Sequence, residues 1–141
     1  MAHMDEGQFV RLFIRKERRE RLLYELTHSE KQRDGLDRFC HQSKELLDPK
    51  RIMMEGGDLE RRADFRRFVA EHDELCFVLS PEFYLDEALR PLQEAVRQAA
   101  SSMDAVLILG SSFVIVFGES MKSGREKYLL SAEERKPEGR Q

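Results

Sequence analysis

Short apolar runs, each far below the roughly 18 residues of a membrane span, most strongly constrain what this chain can fold into. Leu75–Leu79 is a continuous apolar run that ends at Ser80-Pro81, which is typical of a strand buried on both faces. Residues 105–109 and 113–117 are similar β-rich runs. Because Gly110-Ser111 can form the centre of a type II′ turn, the last two runs are predicted to pair as a hairpin.

Helical periodicity and capping residues mark four further segments. Ser29 and Gln32 have capping-box spacing, and Asp48-Pro49 is expected to stop the helix that they begin. Asp58 is a suitable N-cap for a later helix, and Pro91 is expected in the first turns of the last one. The predicted helices cover residues 8–26, 29–47, 58–72 and 85–103.

The order of these elements predicts an α/β or α+β fold. Residues 51–55 and 127–130 are further strand candidates, so the N-terminal helices are followed by β-α-β-α-β-β-β. Crossover helices normally join parallel strands, and the last hairpins form a meander. We therefore expect one mixed sheet with helices packed on it.

One globular domain is expected over residues 8–132. Residues 1–7 are interpreted as a cloning remnant before a native Met4, together with a flexible start that contributes nothing to the core. Residues 133–141 contain no apolar side chain and are expected to form a disordered tail.

Charge and cysteine content indicate a cytoplasmic protein. The 141-residue chain has a net charge of -3, which disfavours nucleic acid as a partner of its whole surface. Two cysteines are too few for a disulfide framework, and Cys40 and Cys76 both lie in apolar patterns. We interpret them as buried, reduced thiols.

No motif for catalysis, metal binding or cofactor binding emerges. Cys40-His41 and His72 with Cys76 match no zinc spacing. Ser111 and Ser112 precede a strand, whereas a nucleophile elbow precedes a helix. Gly56-Gly57 precedes a helix, but Asp58 as cap occupies the amides that would hold an anion.

Asp37 and His41 are four residues apart on one predicted helix. A carboxylate at this spacing can orient an imidazole for proton transfer, but a solvated surface pair has the same spacing. The solvated pair is the preferred interpretation, because no third partner is evident.

Two arginine clusters are the candidate contacts for anions or nucleic acid. Arg18 and Arg19 lie on the first predicted helix, and Arg62 and Arg66 lie on the third. Acidic residues interleave with both clusters, as on salt-bridged helix faces. Nucleic-acid binding would require both clusters to face the same side.

The start of the first helix is the predicted homodimer contact. Phe9, Val10, Phe13 and Ile14, together with Leu12, cover an arc of roughly 200°, whereas one core-facing stripe needs little more than about 100°. A second chain, or another segment of the same chain, is needed to cover the remaining side.

These observations favour a non-catalytic interaction or regulatory module that self-associates as a homodimer, with a protein partner as a further expectation. One alternative is an enzyme with a small-molecule site at the carboxyl ends of the early strands, near Ser80–Asp86 and Gly56. The other is a nucleic-acid-binding protein that uses the arginine clusters. No cofactor, metal or membrane is indicated.

Overall fold

A six-stranded sheet forms the centre of the molecule in the computed structural model, which describes residues 3–28, 30–81, 85–120 and 124–133. The strand order is β1-β6-β5-β4-β2-β3, and every pair of neighbours is antiparallel. The strands are β1 (Ile52–Glu55), β2 (Leu75–Leu79), β3 (Ala88–Pro91), β4 (Val106–Leu109), β5 (Phe113–Phe117) and β6 (Lys127–Ser131).

Helices cover both faces of this sheet, so the fold is of the mixed α+β class. One core joins α1 to α4 to the sheet, and a second core joins α5 and α6 to the other face. Strand residues alternate between the two cores: Leu107 belongs to the first, and Ile108 belongs to the second. The helices are α1 (Glu6–Phe13), α2 (Arg19–Thr27), α3 (Gln32–His41), α4 (Ser43–Leu46), α5 (Ala63–Glu71) and α6 (Leu92–Ser101).

The predicted mixed sheet is wrong in its strand pairing. β1 and β2 are not neighbours, because β1 pairs with β6 and β2 lies between β4 and β3. The expected parallel crossover is therefore replaced by antiparallel pairs, and the predicted β-α-β-α order gains an additional strand, β3. The meander of β4, β5 and β6 is present as expected.

The predicted fourth helix begins seven residues later than expected, because its first part is β3. Pro91 ends that strand and is the N-cap of α6, which starts at Leu92. Proline disfavours helical geometry at the preceding residue, here Arg90. Leu89, which lies within the predicted helix 85–103, is 57% exposed on β3.

The first two predicted helices are each interrupted. Ile14 forms an antiparallel bridge with Leu47, and the Arg15 amide donates to the Leu46 carbonyl at 2.8 Å. The backbone at Ile14 and Arg15 therefore pairs with a distant segment, and the helix resumes at Arg19. A second break, at Gln42, separates α3 from α4. The predicted cap Ser29 lies outside the described residues.

The start of the chain contributes to the core, contrary to the expectation for residues 1–7. Met4 is 3% exposed, and its amide donates to the Gly110 carbonyl at 2.8 Å. Asp5 and Gln8 form a capping box, so α1 begins at Glu6. No helix in the described part of the chain is both long and apolar enough to cross a membrane.

Candidate functional site

The four predicted dimer residues are all buried within the single chain. Phe9, Val10, Phe13 and Ile14 are at most 1% exposed and belong to the core that α1 to α4 form on the sheet. Phe9 packs edge-on against Phe39 of α3, with ring centroids 5.6 Å apart. The wide apolar arc of α1 is thus covered by helices on one side and by the sheet on the other. This removes the surplus apolar surface from which a dimer contact was predicted at these residues.

The two arginine clusters belong to opposite layers of the molecule. Arg18 and Arg19 lie at the start of α2, on one face of the sheet, and Arg62 and Arg66 lie at α5, on the other face. Arg19 donates from Nε to the Ile14 carbonyl at 2.9 Å, next to the helix break. Arg62 pairs with Asp64 at 2.9 Å. The clusters do not form one basic surface.

A polar cavity of about 500 Å³ lies where β1 and β5 end and β6 begins. Its lining includes Gly56 and Gly57 from the end of β1, and Gly118 and Glu119 after β5. The enzyme alternative placed a site at carboxyl ends of strands, and Gly56 does line this cavity. Ser80 does not line it: its hydroxyl donates to the Ala105 carbonyl at 2.8 Å, and its amide donates to Asp86 at 2.9 Å.

Two cations of this cavity are held by bonds that stabilise the fold. Lys127 Nζ is bonded to the Gly57 carbonyl at 2.7 Å and to both carboxylate oxygens of Glu60, at 2.7 and 2.8 Å. Arg125 donates to the carbonyls of Gly118, Ala99 and Asp104. Both cations lie over the Phe117 ring, at 5.7 and 5.1 Å from its centroid.

The Glu60 carboxyl is ionised more readily because of Lys127. Partial burial acts to raise its pKa, but the hydrogen bond and charge of Lys127, with backbone hydrogen bonds, outweigh this and lower the pKa below 4.5. Sequence analysis did not single out Lys127. The sequence does contain a signal, because Lys127 begins a strand of mainly apolar residues. A lysine in such a strand is expected to be buried, and a buried cation needs a partner.

The remaining polar side chains of the cavity are His41 of α3, Lys44 of α4, Tyr128 of β6 and the carboxylates of Glu55, Glu119 and Glu126. His41 Nε2 lies 3.6 Å from a carboxylate oxygen of Glu119, and Nδ1 donates to the Asp37 carbonyl at 2.9 Å. The predicted His41 partner was the Asp37 side chain, and the structure shows the Asp37 backbone instead. Ser43 donates to Glu126 at 3.1 Å. Burial raises the pKa of the neighbouring Tyr128 hydroxyl, and the charges of Glu126 and Glu55 act in the same direction.

The other candidate motifs have structural roles. Ser111 and Ser112 occupy the turn between β4 and β5, and the Gly110 amide donates to the Phe113 carbonyl across it at 2.9 Å. The central turn residues, Ser111 and Ser112, are thus one position later than predicted. The Phe113 ring packs where a Gly110 side chain would lie.

No group of three or more His, Cys, Asp or Glu side chains could hold a metal within the described ranges. His72 donates to the Phe68 carbonyl at 2.9 Å and stacks on the Phe68 ring. Cys76 is fully buried, and the Cys40 side chain lies outside the described residues. His72 and Cys76 therefore belong to the packing around α5 and β2.

An apolar surface lies at the opposite end of the sheet from the polar cavity. Leu75 on β2 and Leu89 on β3 are 58% and 57% exposed. Leu75 pairs with Pro91, and Leu89 pairs with Phe77, so the two leucines are diagonal neighbours on one face. This apolar surface, defined by Leu75, Phe77 and Leu89, is on the same side as α1 to α4.

The molecule is thus a mixed α+β protein with helical layers on both faces of an antiparallel sheet, a polar cavity at one sheet end and an exposed apolar surface near β3. Comparisons with protein-family models, with curated proteins and with solved structures found no match.

Proposed function

We propose that this chain is a non-catalytic interaction module that self-associates through the apolar surface formed by Leu75, Phe77 and Leu89. The observation that supports the proposal is the exposure of the two leucines as diagonal neighbours on one face at the edge of the sheet. Large apolar side chains that are exposed side by side are typical of interaction sites, whereas single exposed residues are not. This surface replaces the predicted contact on α1.

A second copy suits this surface because its three residues are uncharged. A two-fold contact brings the same residues together from both chains, and uncharged side chains meet there without like-charge repulsion. β3 is only four residues long and ends in Pro91, which has no amide hydrogen to donate. Short edge strands with proline resist continuous pairing between chains, so the contact is packing of apolar faces.

The expected affinity is low. Burial of the exposed half of each leucine contributes about 1 kcal/mol, and four leucines meet in a two-fold contact, so the gain is roughly 4 kcal/mol before the entropic cost of association. A gain of roughly 4 kcal/mol corresponds to a dissociation constant of about 1 mM before that cost is subtracted, so we expect at most a weak, concentration-dependent dimer with a dissociation constant no tighter than about 1 mM.

Sedimentation equilibrium tests this proposal. The measured mass should rise with concentration up to about 1 mM, and Leu75→Thr with Leu89→Thr should return it to the monomer value. Tyr24 and Met103 are comparably exposed elsewhere, at 51% and 67%, so Tyr24→Gln with Met103→Gln is the matched control. A chain that stays monomeric throughout, or a control that lowers the mass equally, contradicts the proposal.

The enzyme alternative is favoured by one observation, the contact of His41 with Glu119 in the polar cavity. An imidazole beside a carboxylate can transfer protons when a substrate is bound. A screen of small molecules by thermal shift tests its first requirement: a ligand that raises the Tm of the wild type but not of His41→Asn or Glu119→Gln supports a small-molecule site in the polar cavity.

Nucleic-acid binding is the less favoured alternative, because the two arginine clusters lie on opposite layers. Neutral substitution of Arg18, Arg19, Arg62 and Arg66 should weaken any binding, which should also fall steeply with salt. Filter binding at low salt without retention of DNA or RNA removes this alternative.

A further inference from the structure

A groove of about 690 Å³ between α5 and α6 has an apolar floor. Phe65 and Val69 of α5 are buried there, and Val96 and Ala100 of α6 are half-buried. Its lining runs from Phe65 to Ala70 on α5 and from Gln93 to Ala100 on α6, so at 1.5 Å per residue the groove extends along about 8 to 10 Å of helix. This length matches up to about two turns of a third helix.

Three exposed arginines flank this floor: Arg66 and Arg67 on α5, and Arg97 on α6. None of the three forms an ion pair within the part of the chain that the structure describes, although Glu71 and Glu94 lie on the same helices. The one carboxylate in the lining is Glu60, which Lys127 already binds. The groove therefore has a positive rim whose charges are not neutralised by the described residues.

We infer that this groove binds an acidic amphipathic helix of a partner protein. Guanidinium groups pair with carboxylates through two parallel hydrogen bonds, and arginine is enriched in protein interfaces. A helix lying between α5 and α6 places apolar side chains at positions i, i+4 and i+7 on the floor and acidic side chains against the rim. Both parts of the groove are then used by one ligand.

Other occupants fit less well. Nucleic-acid affinity comes largely from the number of phosphates that a protein neutralises, and three arginines can make few such contacts. Phe65 is 1% exposed, so the floor has no aromatic surface on which bases could stack. Residues 133–141 of this chain have as many basic as acidic residues and no apolar one. They therefore lack both the net negative charge and the apolar side chains that the proposed helix needs.

A display library of 16-residue helical peptides, selected on the full chain, tests the inference. We expect the enriched peptides to carry a net negative charge with apolar residues at i, i+4 and i+7. Their affinity should fall on the order of tenfold in Arg66→Ala with Arg97→Ala. The matched control is Arg18→Ala with Arg33→Ala, because these two arginines are exposed in the other helical layer. This double variant should change the affinity for the peptides less than about twofold.

A substitution on the floor separates helix binding from simple anion attraction. Ala70 is exposed and lines the groove, so Ala70→Gln blocks the groove without a change in charge. This substitution should also lower the affinity for the enriched peptides on the order of tenfold. Leu75→Thr with Leu89→Thr should leave peptide affinity unchanged, which keeps this test separate from self-association. The inference fails if no peptide is enriched, if the enriched peptides are not acidic, or if Ala70→Gln has no effect. Equally tight binding of a short DNA duplex, insensitive to Ala70→Gln, also overturns it.

Discussion

Glu74 accepts two hydrogen bonds from Ser111. The Ser111 amide donates to Oε2 at 2.7 Å, and the Ser111 hydroxyl donates to Oε1 at 3.1 Å. Glu74 directly precedes β2, and Ser111 lies in the turn between β4 and β5, so this carboxylate fixes that turn against the start of a neighbouring strand.

Loss of the Glu74 carboxylate should destabilise the fold. Glu74→Ala leaves the half-buried Ser111 amide without its acceptor, which costs about 1–3 kcal/mol, whereas Ser111→Ala removes only the hydroxyl bond, about 1 kcal/mol. Urea unfolding measures both values. Glu71→Ala, at an exposed carboxylate in the last turn of α5, is the control and should not reduce stability. Equal losses for Glu74→Ala and Glu71→Ala would contradict the assigned role.

Gly110 should not tolerate a side chain. A Cβ atom at this position would overlap the Phe113 ring, so Gly110→Ala is expected to cost about 1–3 kcal/mol in the free energy of unfolding. Phe113→Leu should recover part of that loss in the double variant, which a double-mutant cycle detects. Gly7→Ala, in the first turn of α1, is the matched control and should be neutral or stabilising. An additive double variant would show that the ring is not the obstacle.

The Lys127 to Glu60 ion pair should make stability depend on pH in the acid range. The pKa of Glu60 is lower in the folded protein than its ordinary value of 4.5, so the pair's contribution is fully present above pH 4.5 and is lost as the pH falls through the folded pKa. Glu60→Gln should cost about 1–3 kcal/mol at pH 7, and its difference from the wild type should narrow towards pH 3. A difference that is the same at both pH values would rule out this linkage.

The Cys76 thiol should be unreactive in the folded protein. It is fully buried, and burial, with the charges of Glu74 and Asp73, raises its pKa to about 12. A thiol probe at pH 8 should label Cys76 only after unfolding, as mass spectrometry of the peptide that contains it can show. Rapid labelling under native conditions would mean that β2 opens readily.

Strands and helical regions were predictable where the signal is local. β1, β2, β5 and β6 lie where apolar or β-rich runs predicted them, and the buried residues of α5 follow the helical period. Hairpin pairing of β4, β5 and β6 was predictable, but the pairing of β1 was not, because Ile52 pairs with Leu130, far away in the sequence. The break at Arg15 has the same cause: its backbone pairs with the segment around Leu46, which local propensity does not show.

The candidate surfaces were less predictable than the fold. Arg66 was singled out for its charge, but its groove depends on α6 packing beside α5. Leu89 was assigned to a helix, and only the edge strand β3 makes it an exposed neighbour of Leu75. In both cases the surface is formed by two elements whose proximity is a tertiary property.

The position of β6 has a consequence for how this chain acquires its structure. β6 is the last described strand to emerge during synthesis, yet it lies between β1 and β5 and supplies Tyr128 and Leu130 to the core beneath α1 to α4. A nascent chain therefore exposes the apolar faces of those helices until β6 is available. Long-range closure of this kind slows folding and prolongs exposure to aggregation. A polypeptide released before residue 127 would be a substrate for chaperones and proteases.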